Sequence, residues 1–342
     1  MKKATLLLGS ISVLLSGCAG MMGPKQVDLS EYNRAPLMQA KILPSKEEFG
    51  GGKTKVVVFN LDDSNVALAK SAKAGYSFAK ALEDKISVTG AEVVDRSIAQ
   101  KLQQEIELAE MHGSSGYAGP NVASYAVTGE VSAANVGAVY NKAERWQDKK
   151  GQWHQRSASC RYSAQAKANL RIYKMPELKL LSSISVDGDV SDSQDTYGSH
   201  CPISKQSQEG MIQQAALDAI ENFDVEIQNQ FAPKAYVVER LSNGEESIFK
   251  LSQGSMQGFK PESLVTIYRA MEVKNPITGE TSMEEYPISK GVVTAQAAEN
   301  YAWVALDDSE KDNAIKLGHY AKVKYERSLF STIGKMVDSA LP

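Results

Sequence analysis

Lys55-Val56-Val57-Val58-Phe59-Asn60-Leu61 is the stretch on which the fold turns. A short apolar run with three consecutive β-branched residues fits a buried strand. Asp62-Asp63-Ser64 follows and supplies capping groups for a helix. Two adjacent carboxylates could also do acid–base work, but a helix beginning at once favours the cap. Leu68, Ala72, Tyr76, Ala79, Leu82 and Ile86 recur at helical spacing, predicting a helix over 66–88 that Gly90 stops.

Further out, residues 91–95 read as a second short strand. A second amphipathic helix begins at Ser97 and Ile98, with Ile98, Leu102, Ile106 and Leu108 as its stripe. Residues 122–131 (VASYAVTGEV) form a strand leading into a long hairpin whose polar part, 145–159, carries Trp146 and Trp153. Residues 160–173 return, 174–177 turn, and 178–186 return again. Asp187, Asp189, Asp192 and Asp195 then read as a solvated acidic loop, because the glycine–glutamate frame of a calcium loop is missing. A helix over 208–223 follows, and Phe231-Ala232-Pro233 marks a boundary. Beyond it, short strands at 236–239, 248–251, 264–268, 291–294, 301–306 and 321–323 alternate with glycine turns, the pattern of a small all-β barrel. Residues 327–342 are an amphipathic tail with Leu329, Phe330, Ile333, Met336 and Val337 on one side.

The chain begins MKKATLLLGSISVLLSGCAG. Two lysines and a short apolar run mark a secretory signal, too short for a membrane-spanning helix. Leu15-Ser16-Gly17-Cys18 resembles the lipobox of bacterial lipoproteins. That resemblance implies a diacylglyceryl thioether on Cys18, cleavage before it after a 1–17 signal peptide, and acylation of the new amino terminus. Ala19, rather than Asp, implies sorting to the outer membrane, facing the periplasm. Acyl chains stabilise attachment by about 0.8 kcal/mol per buried methylene. Residues 18–52, rich in Gly and Pro, read as a flexible tether.

The 342 residues carry 38 Lys+Arg against 41 Asp+Glu, a net charge of −3 that loss of Lys2 and Lys3 makes more negative. That balance is no footprint for nucleic acid. With Cys18 lipidated, Cys160 and Cys201 are left as a pair. In an oxidising periplasm they read as a disulfide; two unpaired buried thiols are the alternative. Gly51-Gly52-Lys53-Thr54 is no phosphate loop, since position 47 is Glu where the motif needs Gly, and a strand follows rather than precedes it.

Residues 53–231 resemble the CsgG-like lipoproteins, named for the curli secretion channel. The residues that carry this are Val56-Val57-Val58-Phe59, Val94-Asp95-Arg96 with Leu102 and Glu105, Tyr125-Ala126-Val127-Thr128-Gly129-Glu130-Val131, Leu170-Arg171-Ile172-Tyr173 and Leu180-Leu181-Ser182-Ser183. The resemblance implies an α/β fold: an α+β three-layer CsgG-like domain with a mixed sheet, shared with the periplasmic domain that activates peptidoglycan synthases. Residues 234–326 resemble the SH3-like carboxy-terminal barrel of the flagellar ring protein FlgT, through Gly254-x-x-x-Gly258, a strand ending Tyr268-Arg269, and the Pro276-x-Thr278-Gly279-Glu280 turn. One departure bears on function. A membrane-spanning hairpin alternates apolar and polar residues. Here no apolar stripe can be drawn through 141–156, and 187–203 is acidic, so both read as soluble excursions.

No nucleophile, base or metal frame is found; His112, His154, His200 and His319 are each isolated. No catalytic residue, metal or cofactor is therefore expected. The expected role is a non-enzymatic scaffold or assembly factor for envelope machinery. Its partners would be the outer membrane, through the anchor, and other envelope proteins, with a homo-oligomer also open. Trp146 and Trp153 are candidate partner contacts, with packing across the hairpin as the alternative. An oligomeric CsgG-type secretion channel and an activator of a peptidoglycan synthase are the rival roles.

Overall fold

The computed structural model describes residues 25–49, 54–95, 123–176, 178–277 and 281–327, with 102–104, 106, 108 and 279. Cys18, His112 and the tail from 328 lie outside the described residues. The chain opens with β1 (Asn33–Arg34) and α1 (Lys46–Phe49), then β2 (Lys55–Val58), α2 (Ala67–Ala72), α3 (Ala74–Val88) and β3 (Glu92–Val94). β4 (Tyr125–Asn141), β5 (Glu144–Gln147), β6 (Trp153–Arg156), β7 (Ser159–Lys174) and β8 (Lys179–Asp195) follow. Helices α4 (Lys205–Asn222) and α5 (Asp224–Phe231) lead to β9 (Lys234–Ser242), β10 (Ser247–Leu251), β11 (Leu264–Lys274), β12 (Thr281–Val293), β13 (Ala302–Leu306) and β14 (Tyr320–Val323).

The protein is mixed α/β. One sheet has the order β3-β2-β4-β7-β8, with β2 parallel to β3 and β4, and the β4-β7-β8 meander antiparallel. The continuous apolar run of β2 has a direct cause. Val56 and Val58 enter a core with Phe78, Leu82, Ile220 and Phe231, while Val57 and Phe59 enter another with Leu102, Ile106 and Tyr173. A strand covered on both faces has no solvent face to make polar.

The single helix expected over 66–88 is two. Lys73 takes a left-handed φ of 52° and ends α2. Gly75 then backs onto the chain leaving β2, so closely that a Cβ would lie 1.9 Å from the Leu61 carbonyl oxygen. Asp63 closes this junction, its carboxylate accepting from the Gly75 amide at 3.1 Å and capping α3. Asp62 makes a local turn instead, accepting from the Ser64 amide at 2.9 Å.

The acidic stretch expected as a loop is part of β8. Asp187 and Asp189 stand opposite Lys167 and Gln165 of β7. Between them Gly188 faces α4, where a Cβ would meet the Ala219 amide nitrogen at 2.1 Å and the Ala215 carbonyl oxygen at 2.4 Å. Alternation with small residues builds a half-buried strand here, and charge on its open face hides it from a hydrophobicity reading.

The second sheet closes into a six-stranded barrel, β9-β10-β13-β12-β11-β14, completed by β14 pairing with β9. Phe249, Leu251, Phe259, Val265, Ile267 and Val304 fill it. All six strands overlap the expected ones, but β11 and β12 are much longer than the expected 264–268 and 291–294. β11 and β12 run past the barrel as a long hairpin, in register from Leu264↔Val292 to Lys274↔Thr281 with one irregularity.

Residues 25–49, expected as free tether, are a strap on this barrel. Val27 and Tyr32 are buried with Ile248 and Trp303. β1 pairs with β9, and the Tyr32 hydroxyl donates to Glu246 at 2.5 Å. Ser45 and Glu48 form a reciprocal capping box at the start of α1. Pro36 and Pro44 keep regular elements short here, but scattered apolar residues still bind the segment to the barrel wall.

A two-pronged contact joins the barrel to the α/β unit, and Arg327 near it bonds the Asn222 carbonyl and Glu226. The Asn229 side chain on α5 donates to the Tyr325 carbonyl at 3.0 Å and accepts from its amide at 2.9 Å. Beside it, Gly90 and Gly258, with φ of +87° and +88°, let the end of α3 approach the barrel backbone.

Candidate interaction surface

The polar hairpin of the sequence is the two-stranded β5–β6 ribbon, exposed along its whole length. Its register pairs Trp146 with His154 and Gln147 with Trp153. Cross-strand partners share a face and neighbours along a strand do not. The two tryptophans therefore lie on opposite faces and do not pack on each other. Trp146 stacks on the His154 ring at 5.5 Å. The Arg145 guanidinium sits 4.7 Å from the centre of the Trp153 ring. Trp146 is 47% and Trp153 61% exposed, so each offers most of an aromatic face to solvent.

The ribbon holds this display through its turn. Asp148 accepts from the amides of Lys150 and Gln152 at 2.9 and 2.8 Å and from His154 Nε2 at 3.0 Å. The His154 bond, then the two amides, keep the Asp148 carboxyl below the usual carboxylate range. Arg145 was not singled out from sequence, and His154, read there as isolated, is instead bonded to Asp148 and stacked on Trp146. The period-2 alternation around the turn could have found them, since it assigns each tryptophan a cross-strand neighbour.

Behind the ribbon, Cys160 and Cys201 form a disulfide across a sequence separation of 41. Cys160 is buried on the α4 side of β7. The bond ties the segment entering α4 to the outer part of the meander, where the Tyr162 hydroxyl also reaches the Pro202 carbonyl at 3.2 Å. On the opposite face, Arg161, Ser163, Gln165, Lys167, Asn169 and Arg171 make every second side chain of β7 polar. The ladder partners Ser183, Ser185, Asp187, Asp189, Ser191 and Ser193 extend that polar face across β8. Among the described residues, no helix is long and apolar enough to cross a membrane.

A polar cleft of about 450 Å³ opens where β2 ends, lined by Asn60, Asp62, Gln103, Thr128, Glu130 and Arg171 among others. Glu130 lies 3.9 Å from Arg171. Bonds from Ser64 hold the Asp62 carboxyl below its usual range. Both acids are thus committed to local structure, and the cleft presents a mixed hydrogen-bonding wall. His319, isolated in the sequence, lies in the barrel; His200 lies beside the disulfide, its carbonyl 3.8 Å from Cys160 Sγ.

No family model matches the sequence, and no curated protein matches it. Solved structures similar to parts of the chain include a candidate lipoprotein from Caulobacter crescentus CB15. It is 12% identical, with a TM-score of 0.25, over 54% of this chain and 95% of that one. The PelC dodecamer from Paraburkholderia phytofirmans is 11% identical, TM-score 0.21, over 55% and 97%. The hypothetical protein CT253 from Chlamydia trachomatis is 12% identical, TM-score 0.24, over 51% and 98%. At such TM-scores they assign neither fold nor role to this chain.

Proposed function

We propose that the chain is a lipoprotein held at the periplasmic face of the outer membrane through Cys18, acting as a non-enzymatic scaffold or assembly factor for envelope machinery. The observation that carries this reading is the β5–β6 ribbon: two exposed tryptophans on opposite faces, backed by a disulfide-tied sheet. Exposed aromatics set in a rigid polar frame are the usual anchors of protein–protein contact. The disulfide fits an oxidising compartment. Anchoring would raise the local concentration of the ribbon near membrane-bound partners.

Photo-crosslinking amino acids at Trp146 and Trp153 in living cells test it. Capture of envelope proteins at both sites, lost when Cys18→Ser releases the chain from the membrane, supports the proposal. Absence of fatty-acid labelling on the wild-type chain would defeat it. A captured peptidoglycan synthase would narrow the role to activation of that enzyme. The 17-residue length of β4 and β8 is the observation favouring an oligomeric channel. Stepwise conductance in planar bilayers would decide for that reading.

A further inference from the structure

Between the strap and the barrel lies a cavity of about 480 Å³. Lys41, Arg269, Lys311, Lys316 and His319 line it, together with the apolar side chains of Met271, Pro287 and Ile288. These groups come from five parts of the chain, Pro287 and Ile288 being on β12. The strap delivers Lys41, because the Ala40 amide donates to the Leu317 carbonyl at 3.0 Å and the Leu317 amide to the Met38 carbonyl at 2.8 Å. β11 delivers Arg269, the 3-10 turn Ser309–Ala314 delivers Lys311, and the approach to β14 delivers Lys316 and His319.

His319 is 6% exposed, and its Nδ1 accepts the Lys316 amide at 3.1 Å. That bond leaves the ring proton of the neutral imidazole on Nε2, which meets no protein hydrogen-bond partner among the described residues. Burial, then Lys316 and Arg269, push this imidazole down to about 4, so it stays a neutral donor at pH 7.

The charges are not balanced from within. Among the described residues, Lys41, Arg269 and Lys316 have no ion pair, and only Lys311 has a carboxylate, Asp308 at 3.5 Å. Glu284 stands across the ladder from Met271, with its carboxylate bonded by the Tyr286 hydroxyl at 2.6 Å. A set of solvated surface cations would need neither an apolar wall nor a buried imidazole. Like charges facing one cavity repel, and an anion placed among them removes that repulsion.

We propose that this cavity binds an amphiphilic oxyanion: a phosphate or carboxylate head held by Lys41, Arg269, Lys316 and His319, with a short apolar tail against Met271, Pro287 and Ile288. The site is independent of how the chain is anchored. The test is calorimetric titration of the full chain with octyl phosphate, octanoate, octyl glucoside and inorganic phosphate. Octyl phosphate or octanoate should bind while octyl glucoside at equal concentration does not; the tighter of the two identifies the head. Arg269→Gln, Lys316→Gln and the strap variant Lys41→Gln should each weaken binding at least about tenfold. Equal binding of octyl glucoside, or unchanged affinity in all three variants, would overturn the proposal. Inorganic phosphate binding as tightly as octyl phosphate would also overturn it, since the apolar wall would then contribute nothing.

Discussion

Glu285 tests a charge cluster that ties three strands of the barrel together. It lies on the outside of the barrel between Lys234 at 2.8 Å and Lys322 at 2.6 Å. Beside these charges Tyr268 stacks on Tyr320 and Tyr236 meets Tyr320 edge-on, and Lys234 sits 4.4 Å from the centre of the Tyr320 ring. Burial alone would raise the Glu285 carboxyl, but Lys234, then Lys322, outweigh it and bring the group from 4.5 to about 2. Burial also draws the Lys322 ammonium below its usual range, against the pull of Glu285. A carboxyl displaced that far corresponds to about 3 kcal/mol at 1.36 kcal/mol per tenfold. The side chain is 38% exposed, so solvent screening reduces this to about 1.5 kcal/mol.

The sign follows from linkage. The folded carboxyl titrates below its unfolded value, so the unfolded chain takes up the proton first as pH falls. The contribution is complete above about pH 4.5 and is lost as pH drops through about 2. Glu285→Gln keeps the shape and removes the charge. Urea unfolding is followed by the buried Trp303, with Trp146→Phe and Trp153→Phe to silence the ribbon. The variant should be weaker by about 1.5 kcal/mol at pH 7, and by less than about half of that at pH 3. A deficit that is equal at both pH values, or below about 0.3 kcal/mol at pH 7, would refute the reasoning.

Asn229→Ala removes both bonds to the Tyr325 backbone and should cost about 2 kcal/mol; limited proteolysis should cut faster around residues 231–234. Gly188→Ala places a methyl 2.1 Å from the Ala219 nitrogen and should destabilise by about 2–3 kcal/mol in thermal unfolding, as α4 is forced off the sheet. Gly210→Ala in the same helix meets nothing within 4 Å and should instead stabilise by about 0.5–1 kcal/mol. The double variant Cys160→Ser, Cys201→Ser releases a closure that the chain-entropy model values at roughly 4 kcal/mol. Hydrogen exchange should show lost protection at 196–204 and the outer ends of β7 and β8, with β2 unchanged.

Much of the architecture was legible because its causes are local. The run at 55–61, the stripe from Leu68 to Ile86 and the six barrel strands each declare themselves within a few residues, but the cap expected at 62–64 does not serve the helix that follows: Val66 precedes α2 with no side-chain cap, and Asp63 reaches the Gly75 amide of α3 instead. Periodicity and turn chemistry act at that range. The readings that changed depended on contacts far along the chain. Residues 66–88 break because Gly75 meets Leu61. The acids of 187–195 sit in a strand because α4, some thirty residues on, covers their other face. Residues 25–49 are a strap because Tyr32 finds Glu246.

The surfaces divide in the same way. Trp146 and Trp153 could be picked from sequence, as aromatics in a polar stretch. That they face opposite ways rests on the ribbon's register, which pairs Trp146 with His154 and Trp153 with Gln147. Lys41, Arg269 and Lys316 could not be grouped from sequence, since each is an ordinary surface cation among its own neighbours. Composition and pattern settle what each segment becomes, because those forces reach only a turn or two. Closure of the barrel decides which distant charges share a cavity, because β14 must return to β9 before the strap and the 3-10 turn can stand side by side.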